Sequence, residues 1–112
     1  MTADTAEFRT IPVDLPAGDG PLVPCYLEDL KHRLAVTRRG GQLYAFDDLC
    51  TCTDEARHCP LSAGLLTGTT VMCQCHGSRW DISTGAVIAG PATRSLITYA
   101  VRDDANGIQV RI

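Results

Sequence analysis

Residues 68–82 read Gly68-Thr69-Thr70-Val71-Met72-Cys73-Gln74-Cys75-His76-Gly77-Ser78-Arg79-Trp80-Asp81-Ile82, and the fold is decided there. Thr69 to Cys73 is β-branched and apolar and reads as a strand, with Trp80-Asp81-Ile82 as its partner across a loop. That loop carries Cys and His, residue types that hold soft metals and iron–sulfur clusters. Thr84-Gly85 then reads as a turn before Ala86-Val87-Ile88.

The same grammar extends in both directions. Upstream, Arg33 to Arg39 and Gln42 to Phe46 are alternating runs on either side of Gly40-Gly41, the mark of a β-hairpin. Downstream, Ser95 to Arg102 alternates Leu96, Thr98 and Ala100 with Ile97, Tyr99 and Val101. An Asn106-Gly107 turn and Ile108 to Ile112 follow, predicting a second hairpin. Only Pro24 to His32 has a helical pattern, and a weak one. Ten Gly and six Pro cut the chain into short pieces, with no internal repeat and no low-complexity tract. The expectation is one all-β domain over 1–112, an antiparallel sandwich or small barrel.

Composition narrows the function. The chain has 45% hydrophobic and 21% charged residues, a balance that suits a packed globule and excludes wholesale disorder. Ten basic and thirteen acidic residues give a net charge of −3 with no basic block, which argues against nucleic acid as a partner. No run of 18 apolar residues is present, so a membrane-spanning helix is not expected. Residues 1–7 are polar and acidic, without the basic start and apolar stretch of a secretory signal, and the expected location is cytoplasmic. In that compartment cysteines bind metal more often than they crosslink.

Five of the six cysteines and two of the three histidines crowd into positions 50–76. In order they are Cys50-Thr51-Cys52, His58-Cys59-Pro60 and Cys73-Gln74-Cys75-His76. Cys50, Cys52, Cys73 and His76 form a C-x-C … C-x2-H set, two ligand pairs on two loops. Buried cysteines acting as small apolar residues would sit among Val and Ile, whereas these are flanked by Gly, Ser and Pro. Structural zinc takes three Cys and one His, but its pairs are usually two to four residues apart. A C-x-C pair diverging from an extended segment serves two irons better than one zinc, so spacing favours an iron–sulfur cluster over zinc.

Flanking residues go further. Tyr44-Ala45-Phe46-Asp47-Asp48-Leu49-Cys50-Thr51, then Cys59-Pro60-Leu61-Ser62-Ala63-Gly64, then Cys73-Gln74-Cys75-His76-Gly77-Ser78 stand in order, followed by Trp80-Asp81, Thr84-Gly85 and Gly90-Pro91-Ala92. This resembles the Rieske-type 2Fe-2S ferredoxins over nearly the whole chain, most closely from Tyr44 to Ala92. The resemblance implies a Rieske-like antiparallel β-sandwich with a cluster-binding subdomain of two loops, at about 47–92, and one 2Fe-2S cluster per chain.

One position departs from the family. Its first motif is Cys-x-His, and here Cys52 occupies the His place. The resemblance then implies that Cys50 and Cys73 hold the inner iron and His76 half of the outer one. Cys52 is the expected fourth ligand, giving three thiolates and one imidazole, with His58 the alternative. The resemblance also implies a disulfide between Cys59 and Cys75, a hydrogen bond from the Ser78 hydroxyl to cluster sulfur, and a covering loop at Gly90-Pro91-Ala92. Trp80 stands where a tyrosine hydroxyl would add a second donor, and an indole N–H points elsewhere. Cys25, remote from the motifs, is expected to be a buried packing residue.

Such a cluster exchanges one electron and performs no bond chemistry on a substrate. The expected function is therefore a one-electron carrier and not an enzyme. It would take electrons from a flavin-dependent reductase and give them to a terminal oxygenase, either a ring-hydroxylating dioxygenase or a haem monooxygenase. A thiolate in place of a neutral imidazole adds negative charge and lowers the reduction potential. A redox-sensing or accessory subunit and a cluster-transfer protein are the alternatives. Action as a monomer is expected, and Asp47, Asp48, Asp54 and Glu55 are candidate contacts to a basic partner surface.

Overall fold

The computed structural model describes residues 8–15, 18–49, 60–74, 77–90, 92, 94–104 and 107–112. In chain order the strands are β1 (Phe8–Thr10), β2 (Val23–Leu27), β3 (His32–Arg39), β4 (Gln42–Asp47), β5 (Leu65–Thr67) and β6 (Thr70–Met72). They continue with β7 (Arg79–Asp81), β8 (Val87–Ala89), β9 (Thr98–Tyr99), β10 (Val101–Asp104) and β11 (Gly107–Arg111). A 3-10 turn at Leu61–Ala63 precedes β5. The strands form three antiparallel sheets, β1-β11-β10, β2-β3-β4-β9 and β5-β6-β7-β8.

The middle sheet is the organising layer. Side chains alternate across a strand, so Leu34 and Val36 leave β3 on one face and Ala35 on the other. The first pair joins Cys25, Leu27, Ala45, Ile108 and Val110 in a core against the β1-β11-β10 sheet. Ala35 joins Phe46, Leu61, Val71, Cys73, Trp80 and Ile82 in a second core against the β5–β8 sheet. Two-sided burial explains the unbroken buried run Leu34 to Thr37 in β3. We call the β1-β11-β10 side the base and the β5–β8 side the cluster layer.

The hairpin expected around Gly40-Gly41 is β3–β4, in register from Leu34↔Asp47 to Arg39↔Gln42. The pair expected around the Cys/His loop is β6–β7, with Val71 opposite Trp80. The structure decides two further segments. Pro24 to His32 is not helical: β2 runs to Leu27 and a turn through Lys31 leads into β3. Cys25 and Leu27 are buried while Pro24 and Tyr26 are exposed, so the strand period prevails over the weak helical one. Ser95 to Arg102 is not one strand. Tyr99 pairs with Ala45 of the middle sheet and Val101 with Val110 of the base, so the chain changes sheets at Ala100. Among the described residues, no helix is long and apolar enough to cross a membrane.

Candidate iron–sulfur site

The second Cys/His loop is framed by the β6–β7 hairpin. The Cys73 N–H donates to the Ser78 carbonyl at 2.8 Å, and the Gly77 N–H donates to the Cys73 carbonyl at 2.9 Å. Gly77 has φ +77°, a left-handed conformation that costs glycine little and other residues more. These two backbone bonds close the loop, and Cys73 is left 1% exposed at its foot.

Ser78 is fully buried, and its hydroxyl oxygen accepts the Ala92 N–H at 3.0 Å. An oxygen that accepts this bond still has its own hydrogen to donate. One residue thereby ties the second loop to the Gly90-Pro91-Ala92 segment and keeps a donor available. Trp80, also fully buried, sends its indole N–H to the Arg94 carbonyl at 3.1 Å. That N–H is thereby engaged with the backbone at Arg94.

Cys50, Cys52, His58, Cys59, Cys75, His76 and Pro91 lie outside the described residues, as do Asp54 and Glu55. The positions that bracket them are described. Before Cys50, Asp48 is fully buried, while Leu49 is 39% exposed. After Cys59, Pro60 leads into Leu61–Ala63, where Leu61 is buried in the cluster-layer core.

Asp47 and Asp48 correct a further expectation, since both are buried and neither is a surface contact for a partner. Asp47 Oδ1 lies 2.5 Å from His32 Nε2 and accepts the Tyr99 hydroxyl at 2.6 Å. Burial and then the hydrogen bond to Asp47 hold the Tyr99 phenol well above the usual tyrosine range. Asp48 accepts two bonds from Ser62, whose N–H is 2.6 Å from Oδ1 and whose hydroxyl is 2.7 Å from Oδ2. Sequence reading missed these roles because His32, Tyr99 and Ser62 are distant along the chain. Cys25 is a buried packing residue as expected, and burial pushes its thiol above the usual value.

Residues 13–100 match the family model described as the Rieske [2Fe-2S] domain. The chain belongs to this family. It is 34% identical over 77 residues to the ferredoxin component of the naphthalene 1,2-dioxygenase system of Pseudomonas aeruginosa, covering 69% of this chain and 70% of that one. It is 30% identical over 111 residues to the ferredoxin component of the p-cumate 2,3-dioxygenase system of Pseudomonas putida, covering 99% of this chain and 80% of that one. A chain from a solved complex of reduced oxygenase and oxidized ferredoxin in carbazole 1,9a-dioxygenase superposes with a TM-score of 0.70 at 30% identity, covering 82% of this chain and 81% of that chain.

The cofactor of this Rieske chain is a 2Fe-2S cluster, and its role is electron transfer and not enzymatic catalysis. The described residues fit that group. Cys73 supplies a thiol shielded from water at the mouth of a preformed loop, and Ser78 supplies a hydroxyl hydrogen in the same buried region. Shielding and hydrogen bonding of this kind are how a protein tunes such a centre.

Proposed function

We propose that this chain is the ferredoxin of an oxygenase system, carrying single electrons from a flavin-dependent reductase to a terminal oxygenase of the ring-hydroxylating class. The relative in the p-cumate 2,3-dioxygenase system supports this best, because the likeness extends over 99% of the chain. When bound, the cluster accepts and releases one electron at a time; everything else is the work of the protein. Cys50, Cys52, Cys73 and His76 hold the cluster, and Cys59 and Cys75 form a disulfide between the two loops. The segment around Pro91 covers the site, and the Ser78 hydroxyl donates toward it.

The carrier works as a monomer in the cytoplasm. With Asp47 and Asp48 buried, the apolar side chain offered to a partner beside Cys50 is Leu49. The net charge of −3 favours approach to a basic partner surface through weak, salt-sensitive contact. Reconstitution tests the reading: a flavin-dependent reductase and a ring-hydroxylating oxygenase are assayed with and without this protein. Turnover that requires the chain, and falls as salt rises, is expected. No stimulation in any of several such oxygenase systems would contradict it.

A further inference from the structure

Asp47 and Asp48 leave the end of β4 toward opposite layers. Asp47 joins His32 and Tyr99 on the base side. Asp48 is fully buried on the cluster side, and a carboxylate without water is costly unless every oxygen is paired. Its partners come from two places. Ser62 donates both its N–H and its hydroxyl to the carboxylate, one to each oxygen. Arg33 Nε stands 3.0 Å from Oδ2; its N–H has no hydrogen-bond acceptor, so the contact is one of charge. The Asp48 N–H in turn donates to the Arg33 carbonyl at 3.0 Å.

Asp48 and Ser62 stand on either side of residues 49–61, the segment containing Cys50, Cys52, His58 and Cys59. The clasp also reaches the second loop. Ser62 belongs to the 3-10 turn whose cap, Gly64, donates to the Leu61 carbonyl at 2.9 Å. Gly64 passes so close to Met72 that a Cβ there would overlap the Met72 carbonyl oxygen. Met72 is the residue before Cys73.

We propose that Asp48 is a positioning residue for the cluster. Its carboxylate fastens the two feet of the first loop to each other and to β3, and so holds the ligands of that loop in place against Cys73. The proposal rests on the reading that residues 50–59 carry cluster ligands, and it holds whether Cys52 or His58 is the fourth. Closing a segment of this length has an entropic cost that the short second loop meets with backbone bonds. The first loop meets it with a buried, charge-assisted side-chain clasp.

The test uses the holo-protein and three variants, Asp48→Ala, Ser62→Ala and Tyr99→Phe, the last loosening only the base. Iron release to an excess of ferrous chelator, the EPR spectrum of the reduced protein and the urea midpoint are measured for each. Asp48→Ala removes both Ser62 bonds and the Arg33 charge contact, and is expected to release iron at least about tenfold faster, with broadened EPR lines. Ser62→Ala should show a smaller change in the same direction. Tyr99→Phe should lower the urea midpoint while keeping wild-type release and spectrum. Wild-type release and spectra in both clasp variants, or release that merely follows the urea midpoint across all three, would overturn the proposal. If Asp48→Ala yields no folded holo-protein, Ser62→Ala decides by the same criteria. Cys50→Ser separates the two readings. A normal cluster in that variant removes Cys50 from the ligands and counts against the reading the clasp rests on, whereas cluster loss there with a wild-type Asp48→Ala refutes only the clasp.

Discussion

The feet of the two cluster loops are closed by different means. The second is pinned by backbone bonds between Cys73 and Ser78 and between Gly77 and Cys73, at the tip of a β-hairpin. The first is pinned by a side chain, with Asp48 reaching across residues 49–61 to Ser62. Apart from Gly77, whose positive φ favours glycine, a backbone closure survives most substitutions, because any residue but proline supplies the N–H. A side-chain closure depends on single residues. The first loop is therefore expected to be the sensitive one, and the second the rigid reference against which it is placed.

The largest effect should come from the rigid side. Cys73→Ser replaces a buried thiol with a hydroxyl and should abolish the cluster, seen as loss of visible absorption and of bound iron. Retention of a wild-type spectrum would remove Cys73 from the ligand set. Next, Gly64→Ala tests how tightly the two feet abut. The added methyl meets the Met72 carbonyl oxygen, and overpacking of this kind costs about 1–3 kcal/mol. A urea midpoint at the wild-type value would mean that the feet are free to part.

Smaller effects separate tuning from packing. Ser78→Ala removes the available hydroxyl hydrogen and should lower the reduction potential by about 40 mV, the one-electron equivalent of about 1 kcal/mol. Trp80→Phe breaks the bond to the Arg94 carbonyl and should reduce stability while leaving the potential where it was. A potential shift in Trp80→Phe equal to that of Ser78→Ala would erase the distinction.

The base supplies the smallest and most specific signal. Tyr99 is held above its ordinary value, so the folded state keeps the phenol neutral where the unfolded state ionises it. Its contribution to stability is complete below about pH 10 and is lost as pH rises beyond that, with a slope of up to about 1.4 kcal/mol per unit. Urea midpoints at pH 9 and 11 should therefore fall in the wild type and fall less in Tyr99→Phe. Equal losses in both would place the alkaline weakness elsewhere.

These contrasts also mark what sequence reading reaches. The Cys73 to Ser78 hairpin was legible because its pattern is local: strand, Cys/His loop, strand, within a dozen or so residues. The β3–β4 hairpin was legible for the same reason. The change of sheet at Ala100 was not, because alternation of side chains continues unbroken from Tyr99 to Val101 while the pairing partner changes. Three-residue β5, between Gly64 and Gly68, is too short to carry a period. Asp47 and Asp48 were misread as surface charge, the usual state of adjacent acids, because burial depends on partners supplied by other elements. Ser62 is 14 positions from Asp48 and Tyr99 is 52 from Asp47. The ligand set itself rests on the order of Cys and His and on the family match to residues 13–100.

The central claim is that a thiolate from Cys52 stands where the family has a histidine. Protein-film voltammetry of the wild type, Cys52→His and His58→Ala tests it most directly. The wild type should lie below the range of about −150 to +300 mV found for two-histidine centres, or at its lower end. Cys52→His should raise the potential, because it removes one negative charge from the cluster, and His58→Ala should leave it unchanged. A potential that shifts in His58→Ala and holds steady in Cys52→His would contradict the assignment and make His58 the fourth ligand.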